Sequence, residues 1–161
     1  GNTMSHPELV SIHISPRGGE PMQPLQEVEA VAGKGLAGDR YLLNVGTYSK
    51  RASPHRQVTL METEVFTALK RDHDIELSYN ESRRNLITRG VPLPHLVGEV
   101  FYVGPVKFRG LLINEPCAYF EKLVSKPGIE AALLHRSGIN AEVLEGGTLH
   151  VGDKVTYVSS E

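Results

Sequence analysis

The stretch EVFYVGPVKFRGLLIN, running from Glu99 to Asn114, holds two apolar and aromatic runs on either side of a Gly-Pro pair. Val100 to Val103 and Val106 to Ile113 read as strands, because such runs suit a half-buried ladder and Gly104-Pro105 interrupts them where a tight turn is needed. An antiparallel hairpin follows. Upstream, LVSIHIS from Leu9 to Ser15 is a further strand, with Val10, Ile12 and Ile14 set opposite Leu9, Ser11 and His13 in period two until PRGGEPMQP stops it. Val28 to Val31 is a short strand, and GKGLAGDR, with Gly33, Gly35 and Gly38, is a loop. RQVTL reads as a strand, and Thr59 with Glu62 has capping-box spacing for a helix on which Leu60, Glu64, Val65 and Leu69 recur as far as Arg71.

Downstream of the hairpin, Phe120, Leu123 and Val124 fall at helical spacing. Pro127-Gly128 opens a second short helix with Ile129, Leu133 and Leu134 that ends near Gly138. Ile139 to Leu144 and Lys154 to Val158 read as strands flanking the glycine turns of EGGTLHVGD. Strands and glycine turns spread along the whole chain predict a mostly β fold. The expected sheet is closed or heavily curled, with two or three short helices, rather than a doubly wound parallel one.

A chain of 161 residues with 40% hydrophobic and 22% charged residues suits one domain, expected over residues 9–158. Residues 1–8 read as a cloning remnant, GNT before Met4, followed by a flexible N-terminus. Seventeen Lys plus Arg against nineteen Asp plus Glu give a net charge of −2, which offers no global attraction to nucleic acid or an anionic membrane. Six tyrosines and four phenylalanines are scattered without a stacking pattern, which also speaks against nucleic acid. No secretory signal or membrane span is visible, so a cytoplasmic location is expected. A single cysteine excludes an intramolecular disulfide and a zinc site built from several thiolates.

Three segments carry candidate chemistry. GKGLAGDR has G-x-G-x-x-G spacing, but no long apolar helix starts there, so a dinucleotide unit is not expected. Its glycines either meet backbone demands, with Asp39 capping local amides and Arg40 pairing with a carboxylate, or line a pocket whose amides and Arg40 hold an anion. Arg51, His55 and Arg56 form one basic cluster and Arg83, Arg84 and Arg89 another; they either converge on a phosphate or form solvated charge runs. NEPCAYFEKL places Cys117 between a strand and a helix, with Asn114 as a candidate N-cap. A thiol in the first turn of a helix has a lowered pKa and can act as nucleophile or ligand; the other reading is a buried packing cysteine. His135 is far away in sequence, and no general base lies near the thiol along the chain.

In order along the chain, GKGLAGDR, RQVTL with downstream Glu64, RRNL, NEPC and SGINAEVLEGGTLHVGD resemble the MOSC family. The likeness, from Val10 to Val158, is to a stand-alone MOSC domain similar to the C-terminal domain of molybdenum cofactor sulfurases. The resemblance implies a mostly antiparallel, partly barrel-like β domain that handles sulfur or binds a molybdenum-pterin cofactor. It makes Cys117 the catalytic thiol, either carrying a persulfide or coordinating molybdenum directly, and assigns Arg56 and Arg84 to phosphate or pterin recognition, Asn85 to directional hydrogen bonding, and Gly38-Asp39-Arg40 to pocket architecture. Two departures stand out: Tyr41 follows Asp39-Arg40 where many relatives have histidine, and no second cysteine precedes Cys117. The second disfavours a disulfide shuttle.

The expected function is therefore that of a molybdenum-pterin oxidoreductase acting on a small N-hydroxylated substrate. Its electrons, or the cofactor itself, would come from a partner protein, because the chain has too few cysteines for its own iron-sulfur cluster. A complete sulfurase, with a pyridoxal-phosphate desulfurase domain beside MOSC, does not fit this length. The alternatives are a metal-free sulfur carrier using a Cys117 persulfide and a non-catalytic ligand-binding domain.

Overall fold

The computed structural model describes residues 6–40, 57–116 and 118–158. Among them the strands are β1 (Glu8–Ile14), β2 (Gln23–Leu25), β3 (Glu27–Val31), β4 (Gly35–Leu36), β5 (Val58–Glu62), β6 (Leu86–Arg89), β7 (Val100–Val103), β8 (Val106–Ile113), β9 (Ile139–Glu145), β10 (Gly147–His150) and β11 (Val155–Tyr157). The helices are α1 (Thr63–His73), α2 (Ala118–Val124) and α3 (Ile129–Ala132), with single 3₁₀ turns at Asn80–Ser82 and Leu93–Leu96. The expected β7–β8 hairpin is present with the anticipated ends, Val103 facing Val106 across the Gly-Pro turn.

An eight-stranded sheet runs β11-β7-β8-β9-β5-β6-β1-β2, beside a three-stranded sheet β10-β3-β4. The large sheet curls so that β1, which lies next to the β2 edge, meets the segment entering β11 at the other edge. Leu9 N–H donates to the Asp153 carbonyl at 2.8 Å, Gly152 N–H to that of Leu9 at 2.7 Å and Val155 N–H to that of Pro7 at 2.9 Å. These bonds seal β1 against the segment entering β11 and satisfy groups that an open edge would expose.

Inside the curl lies one apolar core, containing Leu9, Ile12, Leu60, Leu86, Phe101, Phe108 and Ile139. Phe101 and Phe108, opposite each other across the hairpin, stack at 5.4 Å between ring centroids. A second core lies outside the sheet, where Met61 and Ile87 pack under Val65, Phe66 and Leu69 of α1 with Phe120 of α2 and Ile129 of α3. β5 and β6 are buried on both faces, which is why their residues read as near-continuous apolar runs.

Four expectations change. The β5–β6 pair is parallel, because α1 carries the chain back to the starting end of the sheet before β6 begins. The capping box at Thr59–Glu62 does not form: the chain stays extended through Glu62, α1 begins at Thr63, and the Thr59 hydroxyl bonds Asn85 instead. In β1 a bulge between Leu9 and Ser11 shifts the pairing phase. Leu9, Ile12 and Ile14 therefore share the core while Val10 is only half-buried, and the expected Val10-Ile12-Ile14 face is not kept. EGGTLHVGD, expected as turns between extended pieces, contributes β10, which pairs with β3.

Candidate functional site

The glycine loop ends in a corner held by buried polar groups. At Gly38, φ is +83° and an added Cβ would lie 3.1 Å from the Ile14 side chain, so the chain turns there tightly against β1 in a left-handed conformation that favours glycine. The turn delivers Asp39, which has no exposed surface. Its Oδ1 accepts from the Ser15 amide at 2.9 Å and from Asn85 Nδ2 at 3.2 Å, with Arg40 Nη1 3.9 Å away. A carboxylate buried without such donors would cost several kcal/mol.

Asn85, at the entry to β6, is the hub of this corner. Its Nδ2 also donates to the His13 carbonyl at 3.1 Å, while its Oδ1 accepts from the Thr59 amide at 3.0 Å and the Thr59 hydroxyl at 3.2 Å. One amide thus ties together β1, β5, β6 and the Gly-Asp-Arg corner. Beside it, His13 is held below the ordinary histidine range by burial, opposed by its contact with the Arg84 carbonyl. A neutral ring donating from Nδ1 to that carbonyl (3.3 Å) and accepting at Nε2 from Ser11 Oγ (2.8 Å) satisfies both contacts.

Arg84 serves a different corner. Its Nε donates to the Ser137 carbonyl at 2.9 Å and its Nη2 to Ser137 Oγ at 2.6 Å and to Asn114 Oδ1 at 3.1 Å. Asn114 in turn donates from Nδ2 to Asn140 Oδ1 at 2.5 Å and from its backbone to the Gly138 carbonyl at 2.8 Å. Asn114, expected to cap the following helix, instead commits its carboxamide to these neighbours. Next to it, Glu115 takes the His135 amide on Oε1 and meets His135 Nδ1 with Oε2, each at 2.6 Å. The segment leading into Cys117 is therefore fastened to the chain between α3 and β9.

That connecting turn is geometrically demanding. Gly138 has φ +96°, and a Cβ there would fall onto the Leu60 carbonyl. His135 at φ +66° and Arg83 at φ +64° occupy the left-handed region, which costs a side-chain-bearing residue roughly 1–2 kcal/mol.

Two guanidiniums, those of Arg40 and Arg83, make a cationic rim along the loop after β1. The Arg40 amide donates to the Ser15 carbonyl at 2.7 Å and its Nη1 reaches Met22 Sδ at 3.7 Å, while the Ser15 hydroxyl bonds the Arg17 carbonyl and Arg83 bonds that of Glu20. An added Cβ at Gly19 would lie 3.3 Å from the Tyr119 hydroxyl, so the loop bearing Arg17 reaches the helix that follows Cys117. Beyond the largely exposed Tyr119 lies a groove of about 700 Å³, lined also by Glu121, Lys122, Ser125, Lys126 and Pro127.

Of the residues singled out in the sequence, Gly38, Asp39, Arg40 and Asn85 come together in one network. Arg84 adjoins it through the backbone but sends its guanidinium to Asn114 and Ser137. Arg56, Cys117 and Tyr41 lie outside the described residues. Sequence reasoning missed Thr59 as a hydrogen-bonding partner, together with His13, Ser15 and Ser137. His13 and Thr59 carried a signal, being polar residues inside apolar strands; Ser15 and Ser137 carried none. Among the described residues no three His, Cys, Asp or Glu side chains gather as a metal site, and no helix is long and apolar enough to cross a membrane.

Residues 47–156 match the MOSC domain family. This chain belongs to the MOSC family. The MOSC chain is similar in structure to the YuaD protein from Bacillus subtilis, with a TM-score of 0.78 over 94% of this chain and 97% of that one at 16% identity. It is also similar to YiiM from Geobacillus stearothermophilus, with a TM-score of 0.71 over 95% and 75% of the two chains at 15% identity. YiiM from Escherichia coli gives a TM-score of 0.66 over 95% and 70%, again at 15% identity. At these identities the likeness is one of fold. No curated protein matches the MOSC chain significantly.

Proposed function

We propose that this MOSC protein holds a molybdenum-pterin cofactor through Cys117 and reduces a small N-hydroxylated substrate with electrons from a partner protein. The observation that carries the reading is the fastening of Asn114 and Glu115 to Arg84, His135 and Gly138. It presets the backbone leading to the chain's one thiol. The donor set fits the group. A lone thiolate is a soft metal ligand, and the Arg40 and Arg83 guanidiniums, which reach the Met22 sulfur and the Glu20 carbonyl, are cations of the kind that suits an anionic pterin phosphate.

In this reading Cys117 supplies the protein sulfur, and Arg56 with the cationic rim holds the phosphate. Asn85 and Asp39 are positioning residues that keep the Gly38-Arg40 corner in place. Arg84 braces the thiol segment through Asn114. When bound, the cofactor supplies a two-electron redox centre. Reduction of an N-hydroxyl group breaks the N–O bond with two electrons and two protons and releases water, and the partner protein replenishes the electrons. The groove beyond Tyr119 provides room for a small molecule close to the thiol segment.

Oxygen-free purification followed by metal, pterin and intact-mass analysis tests the proposal. Molybdenum and pterin copurifying with the wild-type chain, and lost from Cys117→Ser, support it. Metal-free protein carrying the mass of one additional, thiol-labile sulfur atom would overturn it in favour of a persulfide carrier.

A further inference from the structure

We propose that the turn between α3 and β9 is a positioning clamp for the thiol, in which His135 acts through Glu115 and Ser137 acts through Arg84 and Asn114. The inference deepens the functional reading and rests on its assignment of Cys117 as the working thiol. Glu115 stands two residues before Cys117 and uses both carboxylate oxygens on one residue, taking the backbone N–H and the imidazole of His135 at 2.6 Å each. Asn114, one residue earlier, is held at three points by Arg84, Asn140 and Gly138. Pro116, which is buried, then restricts φ between the clamped pair and the cysteine.

The strain is placed where a clamp would need it. His135 and Arg83 both have positive φ without being glycine, and each stands one or two residues before a member of the Arg84–Ser137 pair. The His135–Glu115 pair is substantially exposed, with side-chain exposures of 76% and 40%, so it shields little apolar surface. Its effect is one of geometry: it fixes where the strand-to-helix junction lies.

The measurement is amide hydrogen exchange of residues 114–120 in the reduced, cofactor-free chain, together with the maleimide labelling rate, which reports on Cys117 because it is the one thiol. Glu115→Ala removes both contacts and is expected to raise exchange of this segment about tenfold and to accelerate labelling, with the core strands unchanged. Glu115→Gln, which keeps an oxygen for the His135 N–H, is expected to return exchange to within about threefold of wild type. If Glu115→Ala does not fold, Ser137→Ala, which removes only the hydroxyl partner of Arg84, is measured in its place, and the same local rise is expected. Wild-type exchange in the segment, or a rise spread equally over the whole domain, would overturn the clamp. The cofactor assignment fails separately, if Cys117→Ser retains molybdenum, and that outcome leaves the exchange result to decide the clamp.

Discussion

Asn85 directs both ends of its amide inward, to Asp39, His13 and Thr59, and none of its surface is exposed. Asn85→Ala would take one donor from the Asp39 carboxylate and the Oδ1 acceptor from the Thr59 amide, and should lower stability by about 1–3 kcal/mol in urea unfolding. A loss within error of zero would show that water replaces the amide. Glu62 makes a separate prediction. Burial, and then the nearby Glu64 carboxylate, push its pKa from 4.5 up to about 7, opposed by the Leu93 backbone. The folded state then binds more protons than the unfolded chain between these values, so this group's contribution to stability falls as pH rises from 4.5 to 7. Buried His13, whose pKa is lowered from 6.5, acts in the opposite sense, its contribution declining as pH drops below that value. The difference between wild type and Glu62→Gln isolates the first effect, and a difference that does not vary with pH would refute it.

At the scale of elements, the hairpin from Val100 to Ile113 was legible to the residue, since its alternation and its Gly-Pro turn are local properties of the chain. The start of α1 was not. β5 is apolar on both faces because one packs inside the curl and the other under the helix, and such a run has no period to separate it from a helix. The corner residues Gly38, Asp39, Arg40 and Asn85 were visible as types in an ordered pattern. The contact between Asn85 and Thr59, 26 residues apart, exists only once β5 and β6 pair. The α3–β9 turn yields a prediction at the same scale: Gly138→Ala should disrupt the β5–β9 pairing, because its methyl group meets the Leu60 carbonyl. Unfolding at a much lower temperature is the expected result, and a wild-type melting temperature would contradict the close approach.

For the whole molecule, the contact between β1 and the segment entering β11 matters, because it joins strands from opposite sides of the large sheet. The seam between Pro7–Leu9 and Gly152–Val155 should therefore exchange its Leu9, Gly152 and Val155 amides only on global unfolding. Exchange of these amides at loop rates would mean that the sheet opens there. The cofactor proposal has this scaffold present one thiol to a molybdenum-pterin group. Its most direct test is the molybdenum-to-protein ratio after oxygen-free purification of wild type and Cys117→Ser. The prediction is a stoichiometric ratio in the wild type and at least an approximately tenfold lower one in the variant, with the fold retained. Equal ratios in the two proteins would contradict it.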